Sequence, residues 1–176
     1  DHTNEFRHKD GTLKGGKTYK KEYEAGDRIH KEIARVKKET GKDHVVLHHN
    51  GKVHHIHHIG EIPSNKPKAD FKLHDKHGNH IWLSHKDESG GRGVGGVHAR
   101  PEDRNNRAVM KHEKKVAGAK EHHDKDGKMP HSALHSNLDN HKHQDLIKRG
   151  IFGHDHGSGK PHGENNVHSI IQGKAT

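Results

Sequence analysis

Residues 66–87 most constrain the fold, because they read as two strands joined by a tight turn. Apolar and polar residues alternate at 70–74, and Ile81 and Leu83 alternate with Trp82, Ser84 and Lys86 in the second run. Such alternation is typical of a strand with one buried face. The residues between the two runs, 75–79, are turn formers and include Gly78, which can adopt a positive φ. The pattern therefore predicts a β-hairpin.

The polar residues of this hairpin fall on shared faces. Asp70 and Lys72 lie on one face of the first strand, and Ser84 and Lys86 lie on one face of the second. If the strands pair, a carboxylate, a hydroxyl and an ammonium group converge at one end of the hairpin. Oxygen ligands beside an amine suit a divalent cation and a phosphate group.

The charge of the chain favours a polyanionic partner. Lysine and arginine total 33 against 24 acidic residues, a net charge of +9 before any of the 26 histidines is protonated. We expect nucleic acid as the partner before an anionic membrane surface. No apolar run approaches the ~18 residues of a membrane span, and no signal-peptide pattern opens the sequence, which favours a cytoplasmic protein. Cysteine is absent, which excludes disulfides and thiolate metal sites.

The hydrophobic content limits the size of the core. Hydrophobic residues make up 24% of the chain, where about 45–50% is typical of a globular domain. We therefore expect a thin core. The length favours one domain, and the polar, glycine-rich start predicts an arm at 1–18 followed by a single domain at 19–176.

A helix is predicted at 19–39, because apolar residues recur there at helical spacing: Ala25, Ile29, Ile33 and Val36. Gly41 follows the helix and suits its end. Glu32 borders the apolar stripe and has two interpretations. It is either an exposed acid paired with a neighbouring Lys or Arg, or an acid directed at the hairpin site.

A second hairpin is predicted at 44–59, where Asn50-Gly51 separates two apolar runs. One helix followed by four strands predicts an α+β fold. We expect a central mixed or antiparallel sheet of about four strands, flanked by helices.

The second half of the chain carries weaker signals. A glycine-rich loop at 89–96 lacks the phosphate-loop pattern but includes Arg92, which could bind phosphate. A helix is compatible with 101–122, where Pro101 and two acidic residues suit a first turn. Shorter elements are indicated around Leu134 and Leu138, around Leu146 to Ile151, and at 167–172.

The arrangement of Asp70, a strand and turn, then Ser84-His85-Lys86 resembles the PD-(D/E)XK nuclease superfamily. Ala69-Asp70 would match the "PD" and Ser84-His85-Lys86 the "(D/E)XK". The run at 66–96, with a weaker echo at 163–173, is also similar to small phage-encoded proteins of that superfamily. The resemblance implies a restriction-endonuclease-like core. We expect a cytoplasmic or virion location.

The resemblance also implies a metal-dependent reaction. In this superfamily, acidic residues on neighbouring strands bind Mg²⁺ and a lysine assists the attacking water, which would be Lys86 here. Ser84 stands where the motif has its second acid, and a hydroxyl is a weak neutral ligand. Another carboxylate is therefore needed, and Glu32 and Glu61 are the candidates. A glutamate from the first helix serves in many members, which favours Glu32.

The predicted function is that of a nuclease dependent on Mg²⁺ or Mn²⁺. Asp70 and a second carboxylate would hold the cation, with Ser84 and Lys86 beside them. Lys68 and Lys72, with Arg92, would bind the nucleic acid. DNA is preferred to RNA as the substrate, and a homodimer would suit an enzyme that cuts both strands.

Three alternatives stay open. A non-enzymatic basic protein, such as a virion component that contacts other virion proteins, needs only the charge. A His-rich protein could bind a transition metal through residues such as His54, His55, His57 and His58. An HNH-type nuclease could use His48-His49-Asn50 with the later residues His135, His141 and His143, although the ββα order of ligands is missing.

Overall fold

The computed structural model describes residues 2–17, 19–62, 68–86, 101–126 and 143–173, with the backbone alone at 118–126. The chain divides into two compact units, where the sequence predicted one domain. The first unit comprises Asp1–Ser89 and His162–Thr176, and the second comprises Gly90–Pro161.

The described part of the first unit contains one helix and a five-stranded sheet. Its elements are α1 (Lys20–Thr40), β1 (Val45–His49), β2 (Lys52–Glu61), β3 (Phe71–Asp75), β4 (Ile81–Lys86) and β5 (Ser169–Gln172). The strands lie in the order β1-β2-β3-β4-β5. The first three pairs are antiparallel and β4 pairs with β5 in parallel, so the sheet is mixed. The predicted α+β class is confirmed, with one strand more than expected.

Both predicted hairpins form, and their turns have the expected backbone. Asn50 and Gly51 have φ values of 49° and 74°. Positive φ at both central residues matches the twist of the flanking strands, which is why Asn-Gly is favoured in such turns. Gly78 has a φ of 83° in the second turn. Phe71 pairs with Leu83 across that hairpin, so the two apolar faces coincide.

The core of this unit lies between α1 and the sheet. Ala25 is buried on the helix, and Ile29 and Ile33 pack beside it. Their sheet partners are the alternating apolar residues of the strands: Ile56, Ile59, Phe71, Leu73, Ile81 and Leu83. α1 ends at Gly41, which has the left-handed backbone expected at that position. The apolar face of α1 that the sequence spacing predicted is therefore the face that packs on the sheet.

The first residues differ from the predicted polar arm. Phe6 is 1% exposed and belongs to the core, where its ring meets Phe71 edge-on with centroids 5.6 Å apart. Arg7 holds the segment in place through two 2.8 Å hydrogen bonds to the Asp27 carboxylate on α1. One apolar side chain in a polar, glycine-rich stretch has no periodicity, so the sequence pattern did not reveal this packing.

In the residues that the structure describes, the second unit contains two helices and a short 3₁₀ helix. The 3₁₀ helix spans Pro101–Asn105, α2 spans Arg107–Asp126 and α3 spans Gln144–Phe152. Val109 and Leu146 are buried together between α2 and α3. Arg149 donates a 2.7 Å hydrogen bond to Asp103, and both side chains are largely shielded from solvent. The predicted helix at 101–122 and the element near Leu146 therefore both form.

Several predicted features lie outside the described residues: the glycine-rich loop at 89–96 with Arg92, and the elements near Leu134 and Leu138. In the part of the chain that is described, no helix combines the length and the apolar character that a membrane span requires.

Candidate active site

Asp70 and Ser84 face each other at one end of the β3–β4 hairpin. The Asp70 backbone N–H donates to Leu83 at 2.8 Å, which continues the ladder beyond Phe71. The Asp70 Oδ2 atom accepts a 3.1 Å hydrogen bond from Ser84 Oγ and a 2.7 Å hydrogen bond from the His85 backbone N–H. Strand parity predicted this meeting of a carboxylate and a hydroxyl. The carboxylate is held by two donors and cannot rotate freely.

A second carboxyl group reaches Asp70 from the first turn of α1. Glu22 is half-buried, and its side chain is hydrogen-bonded to that of Asp70. Two ionised carboxylates in contact would repel each other, so a hydrogen bond between them requires a shared proton. A hydrogen bond between the two groups therefore needs a proton on Glu22.

The environment of Glu22 accounts for that proton. Burial is the main reason that its pKa rises to about 8, followed by the charge of Asp70, the hydrogen bond with Asp70 and the charge of Glu61. The positive charge of Lys86 acts in the opposite direction. Glu22 is thus protonated at neutral pH, at a place where a cation could replace the proton.

Two lysines lie close to this carboxyl pair. Lys68 has its pKa lowered to about 8, first by burial and then by the charge of Lys86, while the charge of Asp70 opposes the shift. Lys86 is exposed at the end of β4 and acts electrostatically on both Glu22 and Lys68. The four groups therefore form one cluster, which we call the Asp70 cluster: Glu22, Lys68, Asp70 and Lys86.

Glu61 lies beside the Asp70 cluster but is already engaged. Its carboxylate accepts a 2.7 Å hydrogen bond from the Tyr23 hydroxyl and pairs with Lys14 at 3.3 Å. Burial, with the hydrogen bond to Glu61, raises the pKa of Tyr23. Glu61 thus supplies negative charge near Glu22 while its own oxygens are bound elsewhere. Of the two acids, Glu22 is the one that contacts Asp70 directly.

Glu32 lies away from the Asp70 cluster. It is exposed on α1 and accepts two hydrogen bonds from Arg35, one of them 2.9 Å long. Hydrogen bonding to Arg35 lowers the pKa of Glu32, as expected for a surface pair. The structure matches the interpretation of Glu32 as an exposed, paired acid. Ten residues of helix, about 15 Å, separate it from Glu22.

The other predicted nucleic-acid contacts are distributed unevenly. Lys72 lies with its ammonium group 4.8 Å from the centre of the Trp82 ring, a cation–π arrangement on the hairpin. Lys72 lies on β3, two residues after Asp70 in the sequence. Arg92 is outside the described residues.

The donor set of the Asp70 cluster is a pair of carboxyl groups. Across the residues that the structure describes, no three His, Asp or Glu side chains are gathered into a group suited to a metal ion. Mg²⁺ commonly keeps several waters and binds through one or two carboxylates together with substrate phosphates. A proton-sharing pair beside two lysines fits that mode of binding, in which the substrate completes the coordination.

The histidines predicted as metal ligands make ring contacts instead. His58 stacks on His2 with centroids 4.6 Å apart, and the His57 and His2 rings lie 4.7 Å apart. His54 is buried and lies 3.5 Å from the Asp75 carboxylate. Within the described residues these rings do not make a group of three ligands. His135 and His141, named for an HNH site, lie outside the described residues.

Sequence reasoning missed Glu22 in this cluster, although a signal was present. Glu22 precedes Ala25 by three residues and Ile29 by seven, so it lies on the buried stripe of α1. An acid in line with an apolar stripe needs a partner on the facing sheet, because a buried carboxylate is costly without one. Glu32 has the equivalent spacing, three residues after Ile29 and seven after Ala25, so spacing alone does not decide between the two acids.

Comparison with protein-family models, with curated proteins and with solved structures finds no match for this chain.

Proposed function

We propose that the chain is a nuclease that depends on Mg²⁺ or Mn²⁺ and hydrolyses phosphodiester bonds of DNA. The observation that carries the proposal is the hydrogen-bonded pair of Glu22 and Asp70, with Lys68 and Lys86 beside it. Glu22 takes the role that the PD-(D/E)XK resemblance assigned to a glutamate of the first helix. The mixed sheet with α1 against it supports a restriction-endonuclease-like core.

Asp70 and Glu22 would hold the cation after Glu22 loses its proton. Bound there, a divalent cation supplies positive charge to the phosphate oxygens and lowers the pKa of a bound water. Ser84 and the His85 backbone N–H keep the Asp70 carboxylate oriented through their hydrogen bonds. The serine at the second acidic position thus acts as a positioning residue, and Glu22 supplies the missing carboxylate.

The two lysines have different roles in this proposal. Lys86 keeps its ammonium group exposed at the end of β4, where it can stabilise the charge that develops on the scissile phosphate. Lys68, with a pKa lowered to about 8, can exchange a proton close to neutral pH. It is suited to accept a proton from the attacking water, whose oxygen forms the new bond to phosphorus as the bond to the leaving oxygen breaks.

A matched pair of variants tests the proposal. Glu22→Gln and Glu32→Gln make the same acid-to-amide change on α1, but only Glu22 contacts Asp70. Supercoiled plasmid and linear duplex are incubated with Mg²⁺ or Mn²⁺, beside chelator controls. We expect Glu22→Gln, Asp70→Asn and Lys86→Ala to lower the cleavage rate by about 10² or more, while Glu32→Gln cleaves as the wild type does. Asp70→Asn purified in the same way reports any contaminating nuclease.

The main alternative is a basic protein that binds nucleic acid without cutting it, either alone or as part of a virion. The net charge of +9 favours it, and it needs no Asp70 cluster. It predicts equal DNA binding by all four variants and no metal-dependent cleavage by the wild type. That result would replace the nuclease proposal with the binding one.

A further inference from the structure

A groove of about 1100 Å³ lies along the C-terminal half of α1. Its apolar lining comes from Ile33 and Ala34 on the helix and from Ile59 on β2. Lys38 on α1 is sixteen residues from Glu22, about 24 Å along the helix axis. The groove is thus separate from the Asp70 cluster, and the function proposed above makes no use of it.

The groove is lined by four lysines and one acid. Lys76 pairs with that acid, Asp43, at 2.9 Å, and Lys37 donates a 2.6 Å hydrogen bond to the His57 carbonyl oxygen. Lys38 and Lys42 are exposed, and neither has an ion-pair partner among the described residues. The groove therefore carries uncompensated positive charge, which an anion would neutralise.

Imidazole rings form a second part of the lining. His57 Nδ1 lies 2.9 Å from His2 Nε2, and His2 stacks on His58 with ring centroids 4.6 Å apart. Burial is the main reason that the pKa of His57 and of His58 is lowered, and the charge of His2 adds to it. Neutral imidazoles offer N–H donors to phosphate oxygens, and of these three rings His2 is the exposed one.

Together these features match the requirements of a nucleic-acid strand. Sites for single strands combine a cationic groove that follows the backbone with rings on which bases stack. The volume exceeds the upper end of typical small-ligand pockets, about 1000 Å³, so a single phosphate ion would fill little of it. We propose that this groove binds the phosphate groups of a nucleic-acid strand, with Lys38 and Lys42 as the principal cationic contacts.

Binding of a fluorescent oligothymidylate by the full chain tests the proposal. Anisotropy is measured in the presence of a chelator, so that cleavage does not contribute, over a range of salt concentrations. We expect the double variant Lys38→Glu/Lys42→Glu to bind at least about tenfold more weakly at low salt. Its salt slope should fall by roughly 1.4, because each lost phosphate contact removes about 0.7 for single strands.

The matched control is Lys9→Glu/Lys52→Glu, which makes the same charge change at two exposed lysines that do not line the groove. We expect it to bind within about twofold of the wild type at about 0.15 M salt, where the Debye length is about 8 Å and charges that do not contact the strand are largely screened. A milder pair, Lys38→Gln/Lys42→Gln, should show an intermediate loss. Circular dichroism establishes that every variant is folded.

Two outcomes overturn the proposal. The first is equal weakening by the groove pair and the control pair, which would mean that only net charge matters. The second is displacement of the oligothymidylate from the groove by inorganic phosphate as readily as by unlabelled strand, which would identify a site for small phosphates. Asp70→Asn should bind the strand as the wild type does, because Asp70 does not line the groove. Loss of strand binding in the groove variants and loss of cleavage in Asp70→Asn therefore test the two proposals separately.

Discussion

Glu22 and Asp70 come from the first turn of a helix and the start of a strand, and their carboxyl groups share a hydrogen bond. A proton on Glu22 prevents the repulsion that two ionised carboxylates would have at this position. The pair makes the stability of the protein depend on pH, and the proposed function would make it depend on divalent cations as well.

The first prediction concerns that linkage. The Glu22 pKa rises from 4.5 to about 8 on folding, so its contribution to stability is complete below pH 4.5 and is lost as the pH rises towards 8. We expect Glu22→Gln to be more stable than the wild type at pH 8 by about 1–2 kcal/mol, allowing for solvent screening at a half-buried site. Urea unfolding of both proteins at pH 5 and pH 8, without divalent cations, measures the difference.

The control for this measurement is Glu32→Gln, whose difference from the wild type should not grow between pH 5 and pH 8. The titration of the histidines changes the free energy of unfolding of the variant and of the wild type equally. The difference between the two proteins therefore reports the glutamate alone. Added Mn²⁺ should stabilise the wild type at pH 8 and leave Glu22→Gln almost unchanged. A pH-independent difference between Glu22→Gln and the wild type would contradict the proton-sharing pair.

The second prediction concerns Ser84, which is 2% exposed and donates to Asp70. We expect Ser84→Ala to cost about 1 kcal/mol of unfolding free energy, because Asp70 keeps the His85 backbone N–H as a donor. Cleavage should fall less than tenfold, far less than in Asp70→Asn. Thermal unfolding and plasmid cleavage measure the two effects.

Ser84→Asp provides the converse test. A third carboxylate beside Asp70 and Glu22 should lower stability in a chelator, and a divalent cation should restore it. Equal stability of Ser84→Asp with and without Mn²⁺ would be incompatible with a cation held by Asp70.

The third prediction concerns Phe6, which joins the first residues to the core. Phe6→Ala should destabilise the first unit by about 3–5 kcal/mol, since the ring is almost wholly buried against Phe71. Val46→Ala removes apolar atoms from a side chain that is 44% exposed and should change stability by less than about 0.5 kcal/mol. Denaturant unfolding measures the free energy of unfolding of both variants. If Phe6→Ala cost as little as Val46→Ala, the first residues would be a polar arm, as the sequence predicted.

A second substitution tests the same contact from the helix side. A Cβ atom at Gly26 would lie 2.4 Å from the Phe6 ring, so Gly26→Ala cannot be accommodated without moving that ring. Alanine would otherwise favour a helix over glycine by about 1 kcal/mol. We therefore expect Gly26→Ala to destabilise the wild type and to stabilise the Phe6→Ala background. Stabilisation of both would show that Phe6 does not pack there.

The fourth prediction concerns Asp27, a buried acid on α1. Hydrogen bonds from Arg7 are the main reason that its pKa is lowered, with further contributions from Asn4 and Lys31. A lowered carboxyl pKa stabilises the protein above pH 3.8, and this contribution is lost as the pH falls below that value. We expect Asp27→Asn to cost about 2 kcal/mol at pH 7, with the difference shrinking in acid. Exposed Asp43, paired with Lys76, is the control, and Asp43→Asn should cost less than about 1 kcal/mol.

Much of the first unit could be predicted from local patterns. The helix follows from apolar residues repeated every three or four positions, and both hairpins follow from alternation around turn residues such as Asn50 and Gly78. These signals are short-range, because one segment of chain decides each of them. The contact between Asp70 and Ser84 follows in turn from strand parity and hairpin register.

The sequence by itself therefore determined the elements of the first unit and one corner of the candidate site. Only the tertiary structure decided which glutamate reaches Asp70, that Phe6 enters the core, and that β5 pairs in parallel with β4. Each of these contacts joins segments far apart in the chain, and they depend on how α1 docks on the sheet. Local periodicity specifies which face of a helix is buried, but the docking of that face selects Glu22 over Glu32.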